Sequence, residues 1–99
     1  MRMMLRAQIP VQAGNRAIQD GTIAKVLEET LDHLKPEAAY FLSENGQRAV
    51  YAFFDLEDPS KIPPTVEPLF IHLDANVELI PVMNVDELKQ GLKEFSKGM

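Results

Sequence analysis

The order in which hydrophobic patterns follow one another constrains this 99-residue chain more than any single motif does. A strand-like start is followed by a helical stretch, a tight hairpin, a second helix and another strand, which spells βαββαβ, and one further helical stripe closes the chain. No repeat, linker or low-complexity tract interrupts the series, so residues 1–99 read as one domain.

The hairpin anchors this order. Ala38 to Ser43 and Arg48 to Phe54 are rich in aromatic and small apolar residues and flank Glu44-Asn45-Gly46-Gln47. Asn-Gly supplies the positive φ angles that a two-residue type I′ turn demands. Counting outward from it pairs Leu42 with Ala49, Phe41 with Val50, Tyr40 with Tyr51, Ala39 with Ala52 and Ala38 with Phe53. One face then carries Ala38, Tyr40, Leu42, Ala49, Tyr51 and Phe53, the other Ala39, Phe41, Val50, Ala52 and Phe54; both are apolar.

The other elements follow from local rules. Met3 to Ile9 reads as a strand ended by Pro10, whose missing N–H cannot continue a ladder. Val11 to Asp20 has weak helical character, interrupted by Gly14 and closed at Asp20-Gly21. Ile23, Val26, Leu27, Leu31 and Leu34 lie on one helical stripe, which Pro36 ends by disfavouring helical geometry at Lys35. Asp55 to Pro64 is a polar loop leading into a second helix with the stripe Ile62, Val66, Leu69, Phe70 and Leu73, where Pro68 predicts a bend. Val77 to Met83 is a fourth strand. Asn84-Val85-Asp86-Glu87 has the form of a capping box and opens a helix with the stripe Val85, Leu88, Leu92 and Phe95.

Two strand-helix-strand units whose inner strands form a hairpin match the ferredoxin-like α+β fold, with a four-stranded antiparallel sheet of order 4-1-3-2 and both helices on one face. Two helices cover one side only, so an apolar second side needs another cover. The economical cover is a second copy, giving a homodimer through the open sheet face that encloses a barrel-like interior, as in a dimeric α+β barrel. The competing arrangement folds the C-terminal helix over that face within a monomer.

Composition narrows the function classes. A net charge of −5, from 15 acidic and 10 basic residues, disfavours nucleic acid, whose phosphates call for clustered Lys and Arg. No cysteine is present, which removes disulfides, thiolate metal sites and a Cys nucleophile. No apolar run approaches the roughly 20 residues of a membrane span, and Arg6 follows Arg2 too soon to leave a signal-peptide core, so a cytoplasmic protein without membrane contact is expected.

Candidate site residues come from strand alternation. Met4, Arg6 and Gln8 point away from the helices, and Glu78 of the fourth strand falls beside Arg6 in the expected order. If the hairpin's tyrosines share that side, Arg6, Gln8, Tyr40, Tyr51 and Glu78 surround one cavity of polar tips on an apolar wall, as in many ligand pockets. The plainer reading is a structural Arg6–Glu78 pair sealed by the dimer. Asn15-Arg16 and Asp20-Gly21 offer a lid or anion-holding turn, or simply an exposed helix interruption. His33 and His72 read as surface residues and Glu67 as solvated; no metal site or cofactor is implied.

Met3-Met4-Leu5-Arg6, Ile9-Pro10-Val11 with Ala13-Gly14-Asn15, Asp20-Gly21-Thr22, Lys35 to Phe41, Glu67-Pro68, and Val77-Glu78 to Pro81-Val82-Met83 resemble a small family of uncharacterised bacterial proteins of about this length. The resemblance covers nearly the whole chain and implies the ferredoxin-like, dimeric α+β barrel group. That wider group includes muconolactone isomerases, cofactor-free monooxygenases, haem-handling enzymes and stress-response proteins, so the resemblance transfers no catalytic residue.

The expected function is small-molecule binding by the homodimer, between sheet and helices or between subunits, with no reaction assigned. One alternative is an isomerase or cofactor-free monooxygenase acting on a small organic acid or aromatic. There Arg6 would hold a carboxylate or enolate, and Tyr40, Tyr51 or Glu78 would move the proton. The other is a structural or interaction protein without a ligand.

Overall fold

A computed structural model describes residues 1–99. Strand β1 (Arg2–Ile9) leads through Pro10 into helices α1 (Val11–Gln19) and α2 (Thr22–Leu34), followed by the hairpin of β2 (Ala38–Glu44) and β3 (Gln47–Asp55). A 3-10 turn at Pro59–Lys61 opens helix α3 (Ile62–Leu73); strand β4 (Asn76–Pro81) and helix α4 (Val85–Lys97) complete the chain. The four strands pair antiparallel in the order β2-β3-β1-β4, which is the sequence of neighbours 4-1-3-2 read from the other edge. The result is an α+β architecture compatible with the ferredoxin-like fold.

The hairpin has the register counted from its turn. Asn45 and Gly46 both take positive φ, at 54° and 74°, and all five expected cross-strand pairs are present. Strand alternation then sorts the sheet. Met3, Leu5, Ala7, Ile9, Val50, Ala52 and Phe54 point to the helices and pack with Val26 and Leu34 of α2 and Val66, Leu69 and Leu73 of α3. Leu5, Ile9, Leu69 and Leu73 are the largest fully buried side chains, which places the core at the centre of this helix-covered side.

Several boundaries and one face differ from the sequence reading. Helix α1 runs through Gly14 without interruption, although a mid-helix glycine costs roughly 0.5–1 kcal/mol relative to alanine. Burial of Ala13, Gly14 and Ala17 against the body offsets that cost. Strand β4 starts at Asn76 and stops at Pro81, one residue and two residues earlier than expected, and Val82 N–H still donates to the Arg2 carbonyl at 3.2 Å just beyond its end. Phe70 lies at the edge of the α3 stripe, 40% exposed, and Thr65 takes a core position instead, its hydroxyl donating to the Lys61 carbonyl at 2.9 Å. Pro68 sits inside α3, which continues to Leu73.

Helix α4 forms behind the expected capping box: Glu87 N–H donates to Asn84 Oδ1 at 2.8 Å, and Asn84 N–H donates to Glu87 Oε1 at 2.9 Å. Glu87 Oε1 also accepts from Arg2 Nη1 at 2.7 Å, tying the first turn to β1. Beyond that tether no residue of α4 is buried, and Val85, Leu88, Leu92 and Phe95 stay 45–68% exposed. The helix therefore projects as an arm, leaving the second sheet face open, and the molecule measures 57 × 28 × 18 Å.

Candidate functional site

The open sheet face carries one wholly apolar row beside rows that mix apolar and polar side chains. Ala38, Phe53, Met4 and Ile80 form one row across the four strands. The next row on the same face reads Tyr40, Tyr51, Arg6, Glu78, because Arg6 of the central strand β1 lies opposite Tyr51 on one side and Glu78 on the other. Gln8, two residues on, sits between Ala49 and Asn76.

A residue outside the expected set organises this row. Glu44, the last residue of β2, lies on the same face as Tyr40 and Leu42, and Ala49 presents only a methyl group between β2 and β1. Its carboxylate thus reaches β1: Glu44 Oε1 accepts from Arg6 Nη2 at 2.7 Å, Arg6 Nε at 3.0 Å and Gln8 Nε2 at 2.8 Å. Tyr51 donates its hydroxyl proton to Glu44 Oε2 and accepts from Arg6 Nε at 2.9 Å. On the other side Arg6 Nη1 donates to Glu78 Oε1 at 2.7 Å.

Arg6, Gln8, Tyr51 and Glu78 are therefore brought together. Tyr40 shares the row but stays 63% exposed on the edge strand, a full strand further from Arg6, and makes no hydrogen bond to the group. Gln8 is buried although it lies on the uncovered side, held by its bond to Glu44. No buried side-chain polar atom lacks a partner, so the network is complete as folded.

Electrostatically the cluster holds one cation and two carboxylates. Its hydrogen bonds to Glu44 and Tyr51 raise the already high pKa of Arg6. The hydrogen bond from Tyr51, joined by those from Arg6 and Gln8, holds the Glu44 carboxyl below the usual carboxylate range against the opposing effect of desolvation. Arg6 is engaged by its own chain, so its charge is matched before any ligand arrives. What the site presents outward is acceptor oxygen from Glu44, Glu78 and Tyr51 beside apolar Met4 and Phe53, a surface suited to donor groups on a small molecule with an apolar body.

His33, Glu67 and His72 are exposed on the helices, and nowhere do three His, Cys, Asp or Glu side chains converge as a metal site requires. No helix is long and apolar enough to cross a membrane. Comparisons of the chain with protein-family models, curated proteins and solved structures return no match, so they assign it to no family.

Proposed function

We propose that two copies of this ferredoxin-like chain pack open face to open face as a dimeric α+β barrel, and that the Arg6–Glu44–Tyr51–Glu78 group binds a small organic molecule within the enclosed interior. The observation that carries this reading is a charged, hydrogen-bonded cluster on an uncovered sheet face, next to the apolar row Ala38, Phe53, Met4 and Ile80. Surface area supports the assembly. The chain exposes 6585 Å², about 900 Å² more than the roughly 5,650 Å² expected for a compact monomer of 11.1 kDa. An excess of that size matches the roughly 800 Å² that one partner buries in a standard interface.

The ligand this chemistry favours is neutral or cationic, with hydrogen-bond donors directed at Glu44 and Glu78 and a flat apolar portion against Phe53 and Met4. A carboxylate would meet two fixed anions, which disfavours the organic-acid reading of this face. A thermal-shift screen of small metabolites tests the proposal, since ligand at about a hundred times its Kd stabilises the folded state by about 2.7 kcal/mol. A stabilising compound is expected to lose its effect on Glu78→Gln and Tyr51→Phe while both variants remain dimeric. Stabilisation undiminished in both would place binding elsewhere and contradict the reading.

A further inference from the structure

The helix-covered side of the sheet carries a concavity at the hairpin end, with a volume of about 550 Å³. Ile9, Phe41 and Val50 supply its sheet surface, Ile23 and Leu27 of α2 its helical wall, and Arg48 its one charged group. Phe41 faces this side yet is 57% exposed, because the helices end short of β2. An apolar hollow with a single cation in its lining lies on the opposite side of the sheet from the Arg6 cluster and does not depend on the reading given for that cluster.

Arg48 differs from the other arginines of the chain. Arg2, Arg6 and Arg16 each pair with at least one carboxylate. Arg48 has no carboxylate partner; its one side-chain hydrogen bond runs from Nη2 to the amide oxygen of Asn15 at 3.1 Å, and it is half-buried. A guanidinium drawn partly out of water beside a neutral acceptor keeps its charge available to an anion. Val11, the first residue of α1, lines the same hollow, and no side chain caps that helix start, so its first-turn amides add positive potential.

Gly14 shows that the position of this guanidinium is built in. A Cβ at residue 14 would stand 2.4 Å from Arg48 Nη1 and 3.3 Å from its Cζ. The glycine inside α1 thus reserves the space in which the Arg48 head group lies, and Asn15, next along the helix, holds it there.

We propose that this cleft binds a small monocarboxylate with an apolar body, its carboxylate on Arg48 and its tail covering Phe41, Ile23 and Leu27. One fixed monovalent cation amid hydrocarbon suits a singly charged anion better than a phosphate, which calls for several donors.

Isothermal titration with 4-phenylbutyrate, and with its neutral amide as the control probe, tests this on the intact chain. The carboxylate is expected to bind at least about tenfold more tightly than the amide, the scale of one hydrogen-bonded charge pair. Arg48→Gln is expected to abolish that preference, whereas Lys89→Gln, which removes the same charge from α4, leaves it unchanged. Gly14→Ala displaces only the end of a flexible side chain, so it is expected to retain the fold by circular dichroism yet weaken carboxylate binding roughly fivefold or more. Equal affinity for acid and amide, no binding of either, or full binding by Arg48→Gln would overturn the proposal. So would loss of native oligomeric mass in Arg48→Gln, which would make the cleft a contact between copies.

Discussion

Replacing Phe53 with lysine places a charge where the proposed assembly is driest. Phe53 lies on the open face of β3 between Ala38 and Met4, with no carboxylate directly across either ladder. In a single chain its side chain borders solvent, so the lysine ammonium stays hydrated and the fold persists. In a face-to-face pair, two-fold symmetry brings the substitution in twice. Desolvating an unpaired ion costs several kcal/mol; taking about 3 kcal/mol for each copy gives about 6 kcal/mol per dimer, a roughly 10⁴-fold rise in Kd. Sedimentation velocity over a dilution series measures that shift, and far-UV circular dichroism checks the fold. A variant that is natively folded and dimerises as tightly as the parent would refute the placement of the open face in the interface.

Two further outcomes follow from the network and the core. Because the folded pKa of Glu44 lies below its unfolded value, near 4.3, the carboxylate contributes stability that is present above that value and is lost as pH falls through the depressed one. Tyr51→Phe removes the largest cause of the depression, so it is expected to lower Tm at pH 7 and to flatten the fall of Tm between about pH 5 and pH 3; parallel curves for parent and variant would contradict this. Leu69, 1% exposed where α3 meets the sheet, is expected to cost about 2–5 kcal/mol on replacement by alanine in urea unfolding, and a loss below about 1 kcal/mol would show that this contact is not central to the core.

The elements were legible wherever a local rule acts alone. Asn45-Gly46 sets the hairpin register, the capping box of Asn84 and Glu87 starts α4, and alternation along β1 puts Arg6 beside Glu78. Glu44 stands next to Asn45-Gly46 and so reads in sequence as part of the turn. With a two-residue loop it is the last residue of β2 and forms the pair next to the turn, opposite Gln47 and in step with Leu42 and Tyr40, so the alternation does carry the signal. Strand alternation gives the face of Tyr40 but not its distance from Arg6, which lies two strands away.

Gly14 reads in sequence as a helix interruption, since glycine is ordinarily a helix breaker. Its use is tertiary: it clears space for an arginine 34 positions later, which no local pattern records. The same limit applies to α4. Its apolar stripe is plain in the sequence, but whether such a stripe folds back or projects depends on what else is there to bury it. A helix of 13 residues with no buried residue is marginal in water, and the proposed second copy would have this stripe to cover as well as the open sheet face.

Sedimentation equilibrium of the unmodified chain at low micromolar concentration tests the proposed assembly most directly. The account predicts a particle of about 22 kDa, twice the chain mass of 11.1 kDa. A particle of 11.1 kDa at every concentration would leave the apolar sheet face and the α4 stripe in water and contradict it.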